Sequence, residues 1–125
     1  EIIEVEANCI VLSKNEITKT LNNSGSIQMV LNDTTSTNFK IKLTGNATNI
    51  VLTSNAKIDV KIGKLNGTII IDSEEKTIKD ATGNNAYKFV ELFDFPCSNF
   101  TKNILVQITG NGTFTTEISY FERLI

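Results

Sequence analysis

The chain has no histidine, no tryptophan, one proline and one arginine among its 125 residues. Without His, the commonest general base, the commonest metal ligand and every His-dependent catalytic triad are excluded. Without Trp, the best stacking platform for sugars and cations is missing. Arg123 alone cannot supply the bidentate contacts that phosphates and bases demand, and a net charge of −2 with a pI near 5.1 gives no basic footprint. Nucleic acid is not an expected partner. Cysteine is also scarce. Cys9 and Cys97 lie far apart with no CxxC spacing, which excludes a zinc site built on Cys and His. They form one disulfide or stay as two thiols, and the lack of a signal-peptide pattern favours thiols. The longest unbroken apolar run, Cys9–Leu12, is far short of the roughly 20 residues of a membrane span, so no membrane insertion is expected.

What the chain does have is a period of two. Phe39, Ile41 and Leu43 alternate with Lys40, Lys42 and Thr44, and Ile58, Val60 and Ile62 with Asp59 and Lys61. Ile104, Val106 and Ile108 continue the pattern, as do Phe114, Thr116, Ile118 and Tyr120. Successive side chains of a strand point to opposite faces, so this rhythm buries one face and wets the other. Ile, Val, Thr and Phe also suit a pleated surface. Gly and Asn, which enter positive φ cheaply, punctuate the runs. Thr109-Gly110-Asn111-Gly112-Thr113 is the strongest hairpin signal; Gly45-Asn46 and Gly63–Gly67 read as turns between separate strands. Ser24-Gly25 separates strands at 17–22 and 26–31, and Glu74-Glu75-Lys76 turns Ile69–Asp72 back through Thr77–Lys79.

Strands recurring about every ten residues predict an all-β fold, a single antiparallel β-sandwich over residues 1–125 with jelly-roll or galectin-like topology and eight to ten strands. The expected core is Phe39, Ile41, Leu43, Ile58, Val60, Ile62, Ile69, Ile71, Phe89, Phe93, Ile104, Val106, Ile108, Phe114, Ile118 and Tyr120. Tyr87, Phe89, Phe93 and Phe95 fall at even spacing and read as core filling rather than as a sugar platform. A short helical turn is conceivable only near Cys97–Lys102.

Candidate chemistry is thin. Asp59, Asp72, Glu74, Glu75 and Asp80 could offer oxygens to calcium, but no DxDxDG-type loop fixes their geometry. No pair of carboxylates has the expectation of a glycosidase pair. Six Asn-x-Ser/Thr triplets begin at Asn22, Asn32, Asn46, Asn66, Asn99 and Asn111; in a chain about one quarter Asn and Thr they are read as chance. Ser and Thr hydroxyls lack a base partner, so no catalytic residue, metal or cofactor is expected. Tyr87 and Tyr120, the only rings with a polar handle, are the candidates for a glycan contact.

The C-terminal third adds an order of pieces: Phe93-Asp94-Phe95-Pro96, a polar link, Asn103-Ile104-Leu105-Val106-Gln107-Ile108, a Gly-Asn-Gly corner, and Thr115–Arg123. This resembles the C-terminal domain of siphophage distal tail proteins, the phage tail component family, with its "F-P-x-L-x-x-G-x-N" segment and terminal "I-x-Y-x-x-R" strand. Gly67-Thr68-Ile69-Ile70-Ile71-Asp72 is similar to the family's "G-x-x-L-x-I-D" hairpin, and the likeness runs from about Ile17 onward. Ser98 and Thr101 depart from it, standing where the family usually has Leu and Gly. The resemblance implies a non-enzymatic module of a phage or prophage tail baseplate, assembled in the reducing bacterial cytoplasm. It implies docking to receptor-binding or accessory tail proteins, or contact with host-surface glycans as a carbohydrate-binding module. The full-length protein would be a homo-hexamer through an N-terminal ring domain, and the Met-less start at Glu1 is read as that of an excised C-terminal domain.

Overall fold

The computed structural model of the chain describes residues 14–31 and 36–123. Its strands are β1 (Lys14–Asn22), β2 (Gly25–Val30), β3 (Lys40–Ser54), β4 (Lys57–Asp72), β5 (Thr77–Asp80), β6 (Val90–Leu92) and β7 (Asn103–Arg123), with a 3₁₀ turn at Tyr87–Phe89. Every strand pairing is antiparallel, and the described residues contain no α-helix. The all-β class follows the alternation in the sequence.

Three strands are much longer than the five or six residues usual for a strand: β3 has 15, β4 has 16 and β7 has 21. Along β7, residues 115–123 pair with β1 and residues 103–108 with β2. β3 lies on the other side of both halves. β4 pairs along the length of β3, then carries β5 on residues 69–72 and β6 on residues 60–62. The sheet is therefore five columns wide, in the order β1/β2, β7, β3, β4, β5/β6. Each column has a first half in one layer and a second half in the other.

Burial requires that this sheet fold over on itself. Ile41, Leu43, Leu52, Ile62, Ile71 and Ile104 are at most 1% exposed, and no helix covers them. Among the described residues, the opposite half of the same sheet is what removes them from water. All of them belong to one core cluster drawn from both halves. The ends away from the fold are tied together by Leu31, residues 37–39 and chain 93–102. Phe39 N–H donates to Pro96 O at 3.2 Å, Ser98 N–H to Thr37 O at 2.8 Å, and Leu31 N–H to Lys102 O at 2.7 Å. Asn38 and Cys97 form an isolated antiparallel bridge there.

The expected hairpin turns at Gly45-Asn46, Gly63–Gly67 and Thr109–Thr113 are instead the bend itself, crossed without a chain reversal. In register, Gly45 faces Gly67 on one side and Phe114 on the other, and Ala47 faces Leu65 and Gly112. β7 buries every second residue from Ile104 to Ile108 and from Phe114 to Tyr120, and Gly110 (half-buried) and Gly112 (exposed) fall on the same parity at the corner. A Cβ on Gly110 would lie 2.9 Å from Ile50 Cγ1, and one on Gly112 only 2.5 Å from Asn46 O. The backbone of β3 leaves no space for a Cβ at Gly112, whose φ of +123° also favours glycine, while a Cβ at Gly110 would press on the Ile50 and Phe114 side chains. Among the described residues the fold has seven strands in one doubled sheet, where eight to ten separate strands were expected over the chain.

Most of the predicted core is buried, but Ile58, Phe89 and Phe93 are not: they are 40%, 52% and 53% exposed. For Ile58 the cause is a register shift at Leu52/Thr53 in the β3–β4 pairing. It places Asp59 and Val60 both inside and turns Ile58 outward. For the rings, the chain leaves the sheet before Tyr87 and after Leu92, so even spacing there does not follow one strand face. Phe95 alone of the four packs against the core, partly buried.

Candidate functional site

Two features stand apart from the plain two-layer packing. The first is a gap in the fifth column. On the side of β4 away from β3, β5 covers residues 69–72 and β6 covers residues 60–62. Between them, Gly63–Thr68 has no partner strand on that side among the described residues. The cause is local chemistry. Asp80 Oδ1 accepts from Thr82 N–H, the Thr82 hydroxyl and Asn84 N–H at 2.8 to 2.9 Å, curling the chain out of the sheet. Those bonds also hold the exposed Asp80 carboxyl below its ordinary value, the Thr82 hydroxyl most of all. The chain returns through Ala86 N–H to Ile78 O, and the 3₁₀ turn then delivers Lys88 and Phe89 beside the gap.

The result is a groove of about 720 Å³ between β4 and the returning chain. Gly63 and Lys64 line it at the bend, and Lys61 and Glu91 share one row of the sheet. Asn49 enters at a register shift in β3, in the left-handed conformation (φ 53°) that Asn tolerates. A Cβ added to Gly63 meets nothing within 4 Å, so the groove is open at this position. Lys88 Nζ sits 5.1 Å from the centre of the Phe89 ring, and Lys61 Nζ 5.6 Å from that of Phe93. Three lysines (Lys61, Lys64, Lys88) face one glutamate (Glu91), a positive surplus on a chain whose net charge is −2.

The second feature is a buried carboxylate. Asp59 is fully buried; its Oδ2 accepts from the Ser54 hydroxyl at 2.5 Å, while Oδ1 has no hydrogen bond and faces Lys57 Nζ at 3.4 Å. Burial pushes the Asp59 carboxyl up, against the pull of Ser54 and Lys57. Lys57 reaches on to Asp94 Oδ2 at 2.8 Å, and that hydrogen bond holds Asp94 below its ordinary range. Ser54 and Asp59 are a hydroxyl and a carboxylate in contact, but both are enclosed, at 4% and 0% exposure. No substrate atom can approach them, and the cluster ties the β3–β4 hairpin to the chain after β6.

The residues singled out from sequence divide as follows. Tyr87 is exposed, with its hydroxyl tethered to Lys76 O at 2.8 Å. Tyr120 is 4% exposed and packs edge-to-face on Phe39, ring centres 5.5 Å apart, so it offers no face to a ligand. Asp72 and Asp80 serve turns: Asp72 Oδ1 accepts from Glu74 and Glu75 N–H at 3.0 and 3.1 Å. Among the described residues no group of His, Cys, Asp or Glu is arranged to hold a metal. Cys97 is half-buried and free of disulfides within the described residues; Cys9, like Asn32, lies outside them. The sequence reading missed the groove residues Lys61, Lys64 and Lys88. No local signal marks them, because the gap they surround is a property of long-range pairing. No family model, curated protein or solved structure matches this chain.

Proposed function

We propose that this chain is a non-catalytic docking module of a phage or prophage tail baseplate, the C-terminal domain of a distal tail protein that holds a receptor-binding or accessory tail protein. The order of motifs from Ile17 onward carries the assignment, and the distribution of apolar side chains supports it. Val30, Ile58, Phe93 and Phe100 are 66%, 40%, 53% and 68% exposed, and all four lie toward the end away from the bend. Large exposed apolar side chains gathered at one end of a molecule mark a contact surface. The test is cross-linking mass spectrometry on purified tails. Cross-links from Lys57 and Lys102, at that end, to a second tail protein are expected. Tails that lack this chain would refute the assignment.

A second reading is favoured by a separate observation: a glycan-binding module contacting the host surface through the groove. There a half-exposed ring, Phe89, stands beside the amide of Asn49 and charged groups on Lys64 and Glu91, an arrangement suited to a sugar. Binding of the chain to immobilised host-surface glycans, lost on Phe89→Ala, is the expected result.

A further inference from the structure

We propose that the groove beside Gly63 and Lys64 selects a carboxylate-bearing sugar chain, an oligosaccharide of uronic-acid type; the inference rests on the glycan-binding reading and adds the charge of the ligand. Three observations carry it. The first is shape. At about 720 Å³, the groove falls in the range of roughly 300–1,000 Å³ typical of small-molecule sites. It is open at Gly63, so a flat ring can lie close to the backbone of β4.

The second is hydrogen bonding. β4 lacks a partner strand on this side from Gly63 to Thr68 among the described residues. A bare strand edge presents backbone N–H and C=O groups that need partners. Sugar hydroxyls, each both donor and acceptor, satisfy such a mixed edge. The third is charge beside an aromatic face. Lys88 Nζ stands over one face of Phe89, and Lys61 and Lys64 line the same groove, where Glu91 is the one carboxylate among the lining residues. A sugar ring stacked on the other face of Phe89 would place a ring carboxylate in a groove with a surplus of ammonium groups. A neutral sugar would leave the lysines with water alone. An acidic peptide would use the lysines but not the flat ring contact, which is why the sugar is favoured.

The experiment is an amide NMR titration of the full chain at low salt with three probes: trigalacturonate, neutral galactotriose and a tri-aspartate peptide. Three variants accompany it, Gly63→Leu, Phe89→Ala and the charge-removing Lys64→Gln. Gly63→Leu fills the groove at a position with open space and no positive φ, so it folds as the parent does. Phe89→Ala removes the platform while leaving the core intact, the ring being half exposed. Trigalacturonate is expected to shift Gly63, Lys64 and Lys88–Glu91, with affinity falling about tenfold in Phe89→Ala, about threefold in Lys64→Gln, and disappearing in Gly63→Leu. Raising the salt should weaken it further. Galactotriose binding as tightly would overturn the charge inference and leave the glycan reading standing. Tri-aspartate binding as tightly would overturn it in favour of protein docking in the groove. No shift with any probe would overturn both the inference and the glycan reading.

Discussion

Alanine at four glycines should separate a folded-over sheet from a pair of ordinary hairpins. Gly63 has no positive φ and open space around its Cβ position, so Gly63→Ala should stay within about 0.5 kcal/mol of the parent, or stabilise by limiting the unfolded chain. Gly67 sits at φ +112° with nothing within 4 Å. Its alanine variant suffers backbone strain alone, about 1–2 kcal/mol. Gly45 and Gly112 have the same kind of backbone, φ +148° and +123°, and no room. A Cβ on Gly45 meets Thr113 O and lies 2.6 Å from Phe114 Cα; one on Gly112 lies 2.5 Å from Asn46 O and 2.8 Å from Ala47 Cα. These are backbone atoms of the adjoining column, so relief requires two strands to separate. Overpacking of that kind adds about 1–3 kcal/mol to the strain, for a total near 2–5 kcal/mol. The assay is urea unfolding followed by far-ultraviolet circular dichroism at 25 °C. With a slope of about 1–3 kcal/mol per molar, the last two variants should lose about 1–2 M in midpoint and Gly67→Ala about half that. If Gly112 stood at a hairpin tip, its alanine variant would show strain alone. Gly45→Ala and Gly112→Ala no worse than Gly67→Ala would refute the bend.

Four further outcomes follow from named contacts. Val106→Asp should abolish cooperative unfolding, because Val106 is 2% exposed and the new carboxylate has no partner; Gln107→Asp, one residue outward, should melt like the parent. Ile58→Ser should change stability by less than about 1 kcal/mol while Val60→Ala costs about 1–3, the reverse of what uninterrupted alternation predicts, and equal losses would contradict the bulge. Asp59→Asn should raise the urea midpoint at pH 7. The Asp59 carboxyl titrates above its ordinary 3.8 when folded, so its contribution is most favourable below that value and is lost as pH rises through the raised pKa. The variant's advantage should therefore shrink as pH falls, whereas Asp94, held low by Lys57, contributes stability above its unfolded pKa that is lost as pH falls through its lowered one. Tyr87→Phe should cost about 0.5–1.5 kcal/mol in the same urea assay by deleting the bond to Lys76 O, and an unchanged midpoint would show that this bond contributes no stability.

Alternation along Phe39–Leu43 and Ile104–Ile108 made strands and inward faces legible from sequence, because burial on a pleated strand is a strictly local rule. What the glycines and asparagines mean was not legible. Positive φ serves a hairpin tip and the inner corner of a folded sheet equally well, and Gly110-Asn111-Gly112 has the composition of both. Only the pairing of 103–108 with β2 and of 115–123 with β1 decides between them, and that is non-local. Asp59 and Ile58 exchanged faces through one inserted position, a shift that leaves no trace in residue type. Tyr87, Phe89 and Phe93 misled for a related reason. Their spacing matched a strand that β6, with three residues, is too short to provide.

The groove follows from the same economy of construction. Every column of this sheet must cross the bend. β3, β4 and β7 cross as unbroken strands because glycine lies at the corner. The first column crosses with a short break at Asn23-Ser24, whose side chains repair the ladder: Phe114 N–H donates to Asn23 Oδ1 at 3.0 Å, and Gly110 N–H to Ser24 Oγ at 3.1 Å. The fifth column has no such repair. Asp80 accepts local N–H groups instead, so the chain loops outward and rejoins ten residues later at Val90. An interrupted edge strand protects a sheet from uncontrolled pairing with other chains. It also leaves the β4 backbone from Gly63 to Thr68 without a partner strand on that side among the described residues, beside a groove lined by Phe89, Lys61, Lys64 and Lys88. A pairing residue there, as at Asn23, would have closed the edge. Among the described residues the corner lacks a partner strand beside the groove that Lys61, Lys64 and Lys88 line, which is the physical reason to look for a ligand at this point rather than along the threonine-rich outer face formed by Thr44, Thr68 and Thr115.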